Sequence, residues 1–216
     1  MDSSNPVFIY ADLETEGLKG ELLLQIAAVS STDSFSTYIN PHRNLPSSCT
    51  DVTGLTYFKG SLYKDGILLK TDNSVSHALR AFNKWLFSQG SEIHLVFHNA
   101  FGFDARVLIK QYIRLNIQIP ANIKNIHDSL PALRKLLKSD KQFQLASDSL
   151  KLTKLGSLFG LSHTDPHNAI SDSQLLKQIC ETYSERLEIS IEKLLGSYHK
   201  TPSFFVNKLK TPKKNN

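Results

Sequence analysis

Cysteine is scarce in this chain: 216 residues hold two, Cys49 and Cys180. Two thiols are too few for a disulfide framework, and their neighbours do not form a metal-binding spacing. A reducing compartment is expected. No apolar run approaches the ~18 residues that a membrane span needs, so no membrane partner is expected. The opening "MDSSNPVFIYADLE" meets acid too early for a secretory signal. These absences point to an intracellular protein, nuclear or cytoplasmic. No internal repeat is visible, and a chain of this length that is 40% hydrophobic can bury one substantial core.

Acid is missing from one end. "KTPSFFVNKLKTPKKNN", residues 200–216, carries five lysines and no carboxylate, which accounts for the whole formal charge of +5. A division into a domain over 1–196 and a basic, flexible tail over 197–216 is therefore expected. Such a tail either stays solvated or touches phosphates by releasing counterions.

The remainder reads as strands and then helices. Residues 7–14, 21–30 and 34–40 have the apolar character of strands, with Gly17 and Gly20 marking the first turn and Thr32-Asp33 the next. Val75, Ala78, Leu79, Phe82 and Leu86 recur at helical spacing, and "IHLVFHN" (93–99) follows as a buried strand. Further helices are expected from Phe103 to about Ile117, Leu130 to about Lys138, Leu152 to Phe159, and Ile170 to Tyr183. Three hairpin strands followed by alternating helix and strand predict an α/β fold, a mixed sheet flanked by helices.

The first strand raises a chemical question, because "FIYADLETEGL" runs from apolar residues into Asp12 and Glu14. Alternate residues of a strand share a face, so the two carboxylates point the same way about 6.6 Å apart and can reach one ion. A strand end whose acids meet water reads the same way. Asp104, in "HNAFGFDARVLIK", falls in the first turn of a helix, where an acid also complements the helix dipole. In "HTDPHNAISDSQLLKQI", His167 precedes a helix and Asp172 lies five residues on.

Taken in order, "DLET", "HNAFGFD" and "HNAISD" resemble the three motifs of the DEDDh 3′→5′ exonucleases, the DnaQ-like branch of the ribonuclease H-like superfamily. The resemblance covers roughly residues 6–185. "VTGLT" (52–56) is similar to the family's segment beside the substrate terminus, and "KLTKLGSLFGL" (151–161) to the helix leading into the third motif. The short layout looks most like the three-prime repair exonucleases and the exonuclease-like domain of the promyelocytic leukaemia protein. One departure is plain: Glu16 stands before Gly17 where the family often has threonine.

The resemblance implies a ribonuclease H-like mixed five-stranded sheet. It makes Asp12, Glu14, Asp104 and Asp172 the metal-binding carboxylates and His167 the general base. Main-chain groups near Leu13 and the side chain of Leu18 would contact the terminal nucleotide, although Leu18 reads equally as core. Four converging carboxylates repel one another unless cations join them, and two divalent ions balance the charge. Hard oxygen ligands favour Mg²⁺ or Mn²⁺ over Zn²⁺. Such a pair assists in-line displacement at phosphorus, and an imidazole, with a pKa of about 6.5 in solution, can take a proton near neutral pH. The expected partner is nucleic acid with a single-stranded 3′ end, and the product a nucleoside 5′-monophosphate. DNA against RNA is open, as is oligomeric state. Two other classes compete: a nuclease-derived binding module without turnover, and a ribonuclease H-like endonuclease or integrase.

Overall fold

The apolar run at the start becomes β1 (Val7–Thr15), the middle strand of a seven-stranded sheet. The computed structural model describes residues 6–17, 22–140, 150–163 and 165–211. β1 pairs antiparallel with β2 (Leu23–Val29), and β2 with β3 (Ser34–Ile39), which is the expected meander. On its other side β1 runs parallel to β8 (Ile93–Phe97), and β8 parallel to β9 (Ile123–Asp128). These five strands are the sheet implied by the resemblance. Two-residue strands widen it at each edge, β7 (Thr71–Asp72) beside β3 and β10 (His199–Lys200) beside β9.

Alternation along β1 divides the interior in two. Ile9, Ala11 and Leu13 face a core completed by α2 (Val75–Gln89) and α3 (Asp104–Arg114). Tyr10 faces the opposite core, built from α4 (Ser129–Ser139), α5 (Leu152–Leu158), α6 (Ala169–Arg186) and α7 (Ile191–Leu195). Ile9, Leu23, Ile26 and Leu95 have no exposed surface, and each contributes roughly 1.5–3 kcal/mol by leaving water. By the same alternation Asp12 and Glu14 share the face of Tyr10, which is the face that α6 covers.

Between β3 and α2 the chain forms α1 (Ser47–Thr53) and a small antiparallel sheet of β4 (Leu55–Phe58), β5 (Ser61–Lys64) and β6 (Ile67–Leu68). The sheet is anchored by Leu55 and Leu62, which bury with Leu24 and Cys49. Gly54 joins α1 to β4 in the left-handed region, with φ of 70°. A Cβ there would lie 2.4 Å from Asp65 Oδ1, so the "VTGLT" segment requires glycine on two counts.

The lysine-rich end departs from expectation over its described part. β10 pairs His199 with His127, and α8 (Pro202–Lys210) follows, with Pro202 opening the helix. Phe205 is buried, while Val206 and Leu209 pack partly against the same core and α8 lies on α3. The domain therefore continues past residue 196. Lysine dominates the composition of this segment, but its apolar residues fall on one side of a helix and bury it.

Candidate active site

β1 outruns its neighbour. Its pairing with β8 ends at Tyr10 and Val96, so Asp12 and Glu14 stand on an unpartnered end of the strand while β2 still holds them from the other side, opposite Ala27 and Gln25. The carboxyl end of β8, parallel to β1, leads through residues 98–103 into Asp104 at the start of α3. From above the other face, α6 lowers Asp172 in its first turn. Asp12, Leu13, Glu14, Asp104, His167 and Asp172 line one cleft of about 400 Å³, with His98, Asn99, Gly102 and Phe103. Residues spread from position 12 to position 172 thus converge on one place. Leu18 lies outside the described residues.

Within the cleft one grouping stands out. Glu14, Asp172 and His167 each offer a ligand atom within 4.8 Å of the others. Asp12 feels both that group and Asp104. Burial pushes the Asp12 carboxyl well above the usual carboxylate range, and Asp104, Glu14 and Asp172 push it further. Burial also carries Glu14 to about 8, with Asp172 adding to the rise and Lys64 opposing it. Asp104, 4% exposed, is raised chiefly by burial; hydrogen bonds from its own N–H and from that of Leu13 oppose the rise, while Asp128 and Glu14 add to it. Asp172 is raised by burial and drawn back by His163 and His167. Four carboxyls that disfavour their own ionisation are a cluster lacking positive charge.

Supporting residues hold the two ends of the site. Asp128, at the end of β9, accepts hydrogen bonds from the N–H groups of Asn99 (3.0 Å), Phe101 (2.9 Å) and Leu130 (3.1 Å). One carboxylate therefore fixes the loop before Asp104 and caps α4. Asn99 takes φ of 69°, a left-handed bend that asparagine tolerates better than most residues. His98 is held from both ring nitrogens, by Ser129 Oγ at 2.9 Å and the Leu150 carbonyl at 2.7 Å. The carbonyl can only accept, so Nε2 carries the proton and Nδ1 accepts from Ser129, and burial depresses the pKa of the ring.

His167 is exposed and has φ of 60° in the turn that precedes α6. Its N–H donates to Asp172 Oδ2 at 3.1 Å, and Asn168 Nδ2 donates to Asp165 Oδ2 at 2.6 Å. Gln25, fully buried on β2, clamps this turn to the sheet: its Nε2 donates to Asn168 Oδ1 (3.0 Å) and its Oε1 accepts from the Ala169 N–H (3.0 Å). Lys64 of β5 reaches across to Asp165 at 3.2 Å, which ties the small sheet to the same turn. His163 places Nε2 2.9 Å from Asp172 Oδ1. Glu16, the departure in the first motif, pairs with Arg43 and lies outside the residues lining the cleft.

Gln25, Asp128 and His163 carry no motif signal in the sequence, and His98 opens the second motif without being singled out there. A buried glutamine inside an apolar strand and an aspartate directly before a helix are the marks by which the first two could be found.

Known proteins share this fold. The chain is 26% identical over 198 residues to the PolC-type DNA polymerase III of Oceanobacillus iheyensis; the match covers 88% of this chain, which spans only 12% of that polymerase. The fold matches E. coli Exonuclease I in complex with an oligonucleotide, with a TM-score of 0.65 and 18% identity, over 88% of this chain and 42% of that one. It also matches the nuclease domain of 3'hExo, a DEDDh family member bound to rAMP, with a TM-score of 0.62 and 17% identity, over 86% of this chain and 94% of that domain. The exonuclease family RNase_T matches residues 9–180, the span from β1 to the last apolar turns of α6 that carries every acid of the cleft, and the chain belongs to that family.

Proposed function

We propose that this chain is a metal-dependent 3′→5′ exonuclease that removes nucleoside 5′-monophosphates from the 3′ end of a nucleic-acid strand, DNA or RNA. The observation that carries this reading is the convergence of Asp12, Glu14, Asp104 and Asp172 on one cleft beside His167. The raised carboxyls fit a site that takes cations, since oxygen donors without thiolate suit Mg²⁺ or Mn²⁺. Two divalent ions bound there would lower the pKa of a water and neutralise charge that develops at phosphorus.

The chain's own residues perform the rest. Asp12, Glu14, Asp104 and Asp172 would hold the ions, with Asp12 central among the acids. His167 takes the proton of the attacking water at a ring nitrogen, and its exposed turn gives the imidazole room to approach. Asp172 accepts the N–H of His167 and so couples that turn to the ligand set. Leu13 and Leu18 would contact the terminal nucleotide, and a cleft that must admit a strand end favours a single strand. Exonuclease I has been seen with an oligonucleotide and 3'hExo with rAMP, which supports a nucleotide at this position while leaving the sugar open.

The test is digestion of end-labelled DNA and RNA, single and double stranded, with Mg²⁺ or EDTA. Stepwise loss from the 3′ end that EDTA stops is the expected result. Binding without loss would make the chain a silent module, and internal cuts would make it an endonuclease.

A further inference from the structure

α3 begins in the cleft and leads away from it. Its only acid is Asp104, and its solvent side carries Arg106, Lys110 and Arg114, one per turn at i, i+4 and i+8. At 1.5 Å per residue these three cations span roughly 12 Å. α8 packs on α3 and adds Lys208 and Lys210, with Lys200 just before it. No acid occurs beyond Glu192. Among the described residues Arg106, Arg114, Lys200, Lys208 and Lys210 form no ion pair.

An aromatic ring sits among these charges. Phe204, 42% exposed, has Lys200 Nζ 5.2 Å and Lys208 Nζ 5.9 Å from its ring centroid. Its neighbour Phe205 is buried against Phe101 of the cleft loop, with ring centroids 6.0 Å apart, so this platform is tied to the loop that carries Asp104. A large exposed ring flanked by lysines costs solvation, offset among the described residues by the weak cation interactions and by an edge-on contact with Phe205, ring centroids 5.3 Å apart. Paired with a strand it gains on both counts, because a base stacks on the ring while the ammonium groups take phosphates.

We propose that the joint face of α3 and α8 is a second nucleic-acid surface, which holds the sugar-phosphate backbone upstream of the 3′ end and stacks one base on Phe204. This rests on the nuclease reading and extends it: the cleft takes the terminal nucleotide, and the basic face takes the strand behind it. Chain length is then the variable that separates the two. A tetranucleotide fills the cleft without reaching far along α3, whereas a 20-mer covers both.

The experiment measures binding of phosphorothioate DNA strands, which resist cleavage, across a salt series. The full chain is compared with the variant Arg106→Gln/Arg114→Gln/Lys200→Gln/Lys208→Gln and with Phe204→Ala, and melting curves check that both are folded. The fourfold variant is expected to bind the 20-mer at least ~10-fold more weakly, with its salt slope flatter by ~0.7 for each phosphate that the variant no longer neutralises. Phe204→Ala is expected to weaken the 20-mer several-fold with an unchanged slope. Binding of the tetranucleotide should stay within about twofold for both. An unchanged 20-mer affinity and slope would overturn the inference, as would an equal loss on the tetranucleotide. Loss of binding to polyglutamate with the 20-mer unaffected would overturn it in favour of an acidic protein partner. Failure of the nuclease reading is seen separately, in the wild type's inability to shorten an ordinary tetranucleotide with Mg²⁺.

Discussion

Gln25 and Asn168 stand 143 residues apart in sequence and are joined by a 3.0 Å hydrogen bond. The same glutamine takes the Ala169 N–H, so one buried amide locks the turn bearing His167 onto the sheet bearing Glu14. Replacing it with leucine leaves the Ala169 N–H and Asn168 without these partners at a buried site, which costs roughly 1–3 kcal/mol. Gln25→Leu should accordingly melt several degrees lower, and its kcat should fall more than its KM rises, because the turn sets the position of His167. A variant with wild-type melting and kcat would show the clamp to be idle.

Asp12→Asn and Asp172→Asn should each lose ~10² to 10³-fold or more in hydrolysis while remaining folded. Both remove a carboxyl from a cluster in which Asp104, Glu14 and Asp172 raise Asp12, and Asp172 raises Glu14, so in EDTA the variants should melt higher than the wild type. Relief of about 1 kcal/mol corresponds to roughly 2–4 °C for a chain of this size. Wild-type rates with Mg²⁺ in Asp12→Asn would remove the ligand assignment.

Glu14 makes metal-free stability depend on pH. Its carboxyl rises from 4.5 to about 8 in the folded protein, so between these values the folded state binds more protons than the unfolded one. Stability should fall as pH rises through this window and level off above it. Urea melts in EDTA at pH 5.5 and pH 8 measure this, with the lower pH expected to be the more stable. Saturating Mg²⁺ should reverse the trend, because the ions take the place of those protons.

His167→Ala should lower kcat by roughly 10² to 10⁴-fold, the usual share of one general base. Metal binding should persist, since the four carboxylates remain, and raising the pH should partly rescue the variant as hydroxide replaces the base. If the residue were only an exposed turn position, alanine would leave kcat within a few fold and the pH profile unmoved.

Phe205→Ala should destabilise the protein by about 3–5 kcal/mol, as for other buried phenylalanines. Removing residues 200–216 should do at least as much, because it takes away half of β10 and all of α8. A loose tail could be removed without changing the melting temperature, so calorimetry on the truncated chain distinguishes the two descriptions.

The acids of the cleft are legible in the sequence because each sits where a local pattern ends: Asp12 and Glu14 close an apolar strand, and Asp104 and Asp172 open amphipathic helices. The strands of the meander and the helices α2, α3 and α6 are legible for the same reason. β9 is not, since Lys124 and Asn125 interrupt its apolar residues and its pairing to β8 supplies what the pattern lacks. The small sheet of β4, β5 and β6 escapes a sequence reading because only Leu55 and Leu62 are buried there, too few to give a period. α8 is hidden by its lysines. Gln25, Asp128 and His163 act on partners that only the folded chain brings near, and no spacing within the sequence announces them.

The order of the chain also fixes when the cleft can exist. β1 is made before α3 and α3 before α6, so when Asp12, Glu14 and Asp104 have been made the face that α6 covers is still open. Closing it waits for the segment near Asn168 to return across a long loop to Gln25, an event whose entropic cost delays it behind the local hairpins. The fourth acid therefore joins the cleft late, and the same delay makes α6 docking the step at which slow or faulty folding would be felt.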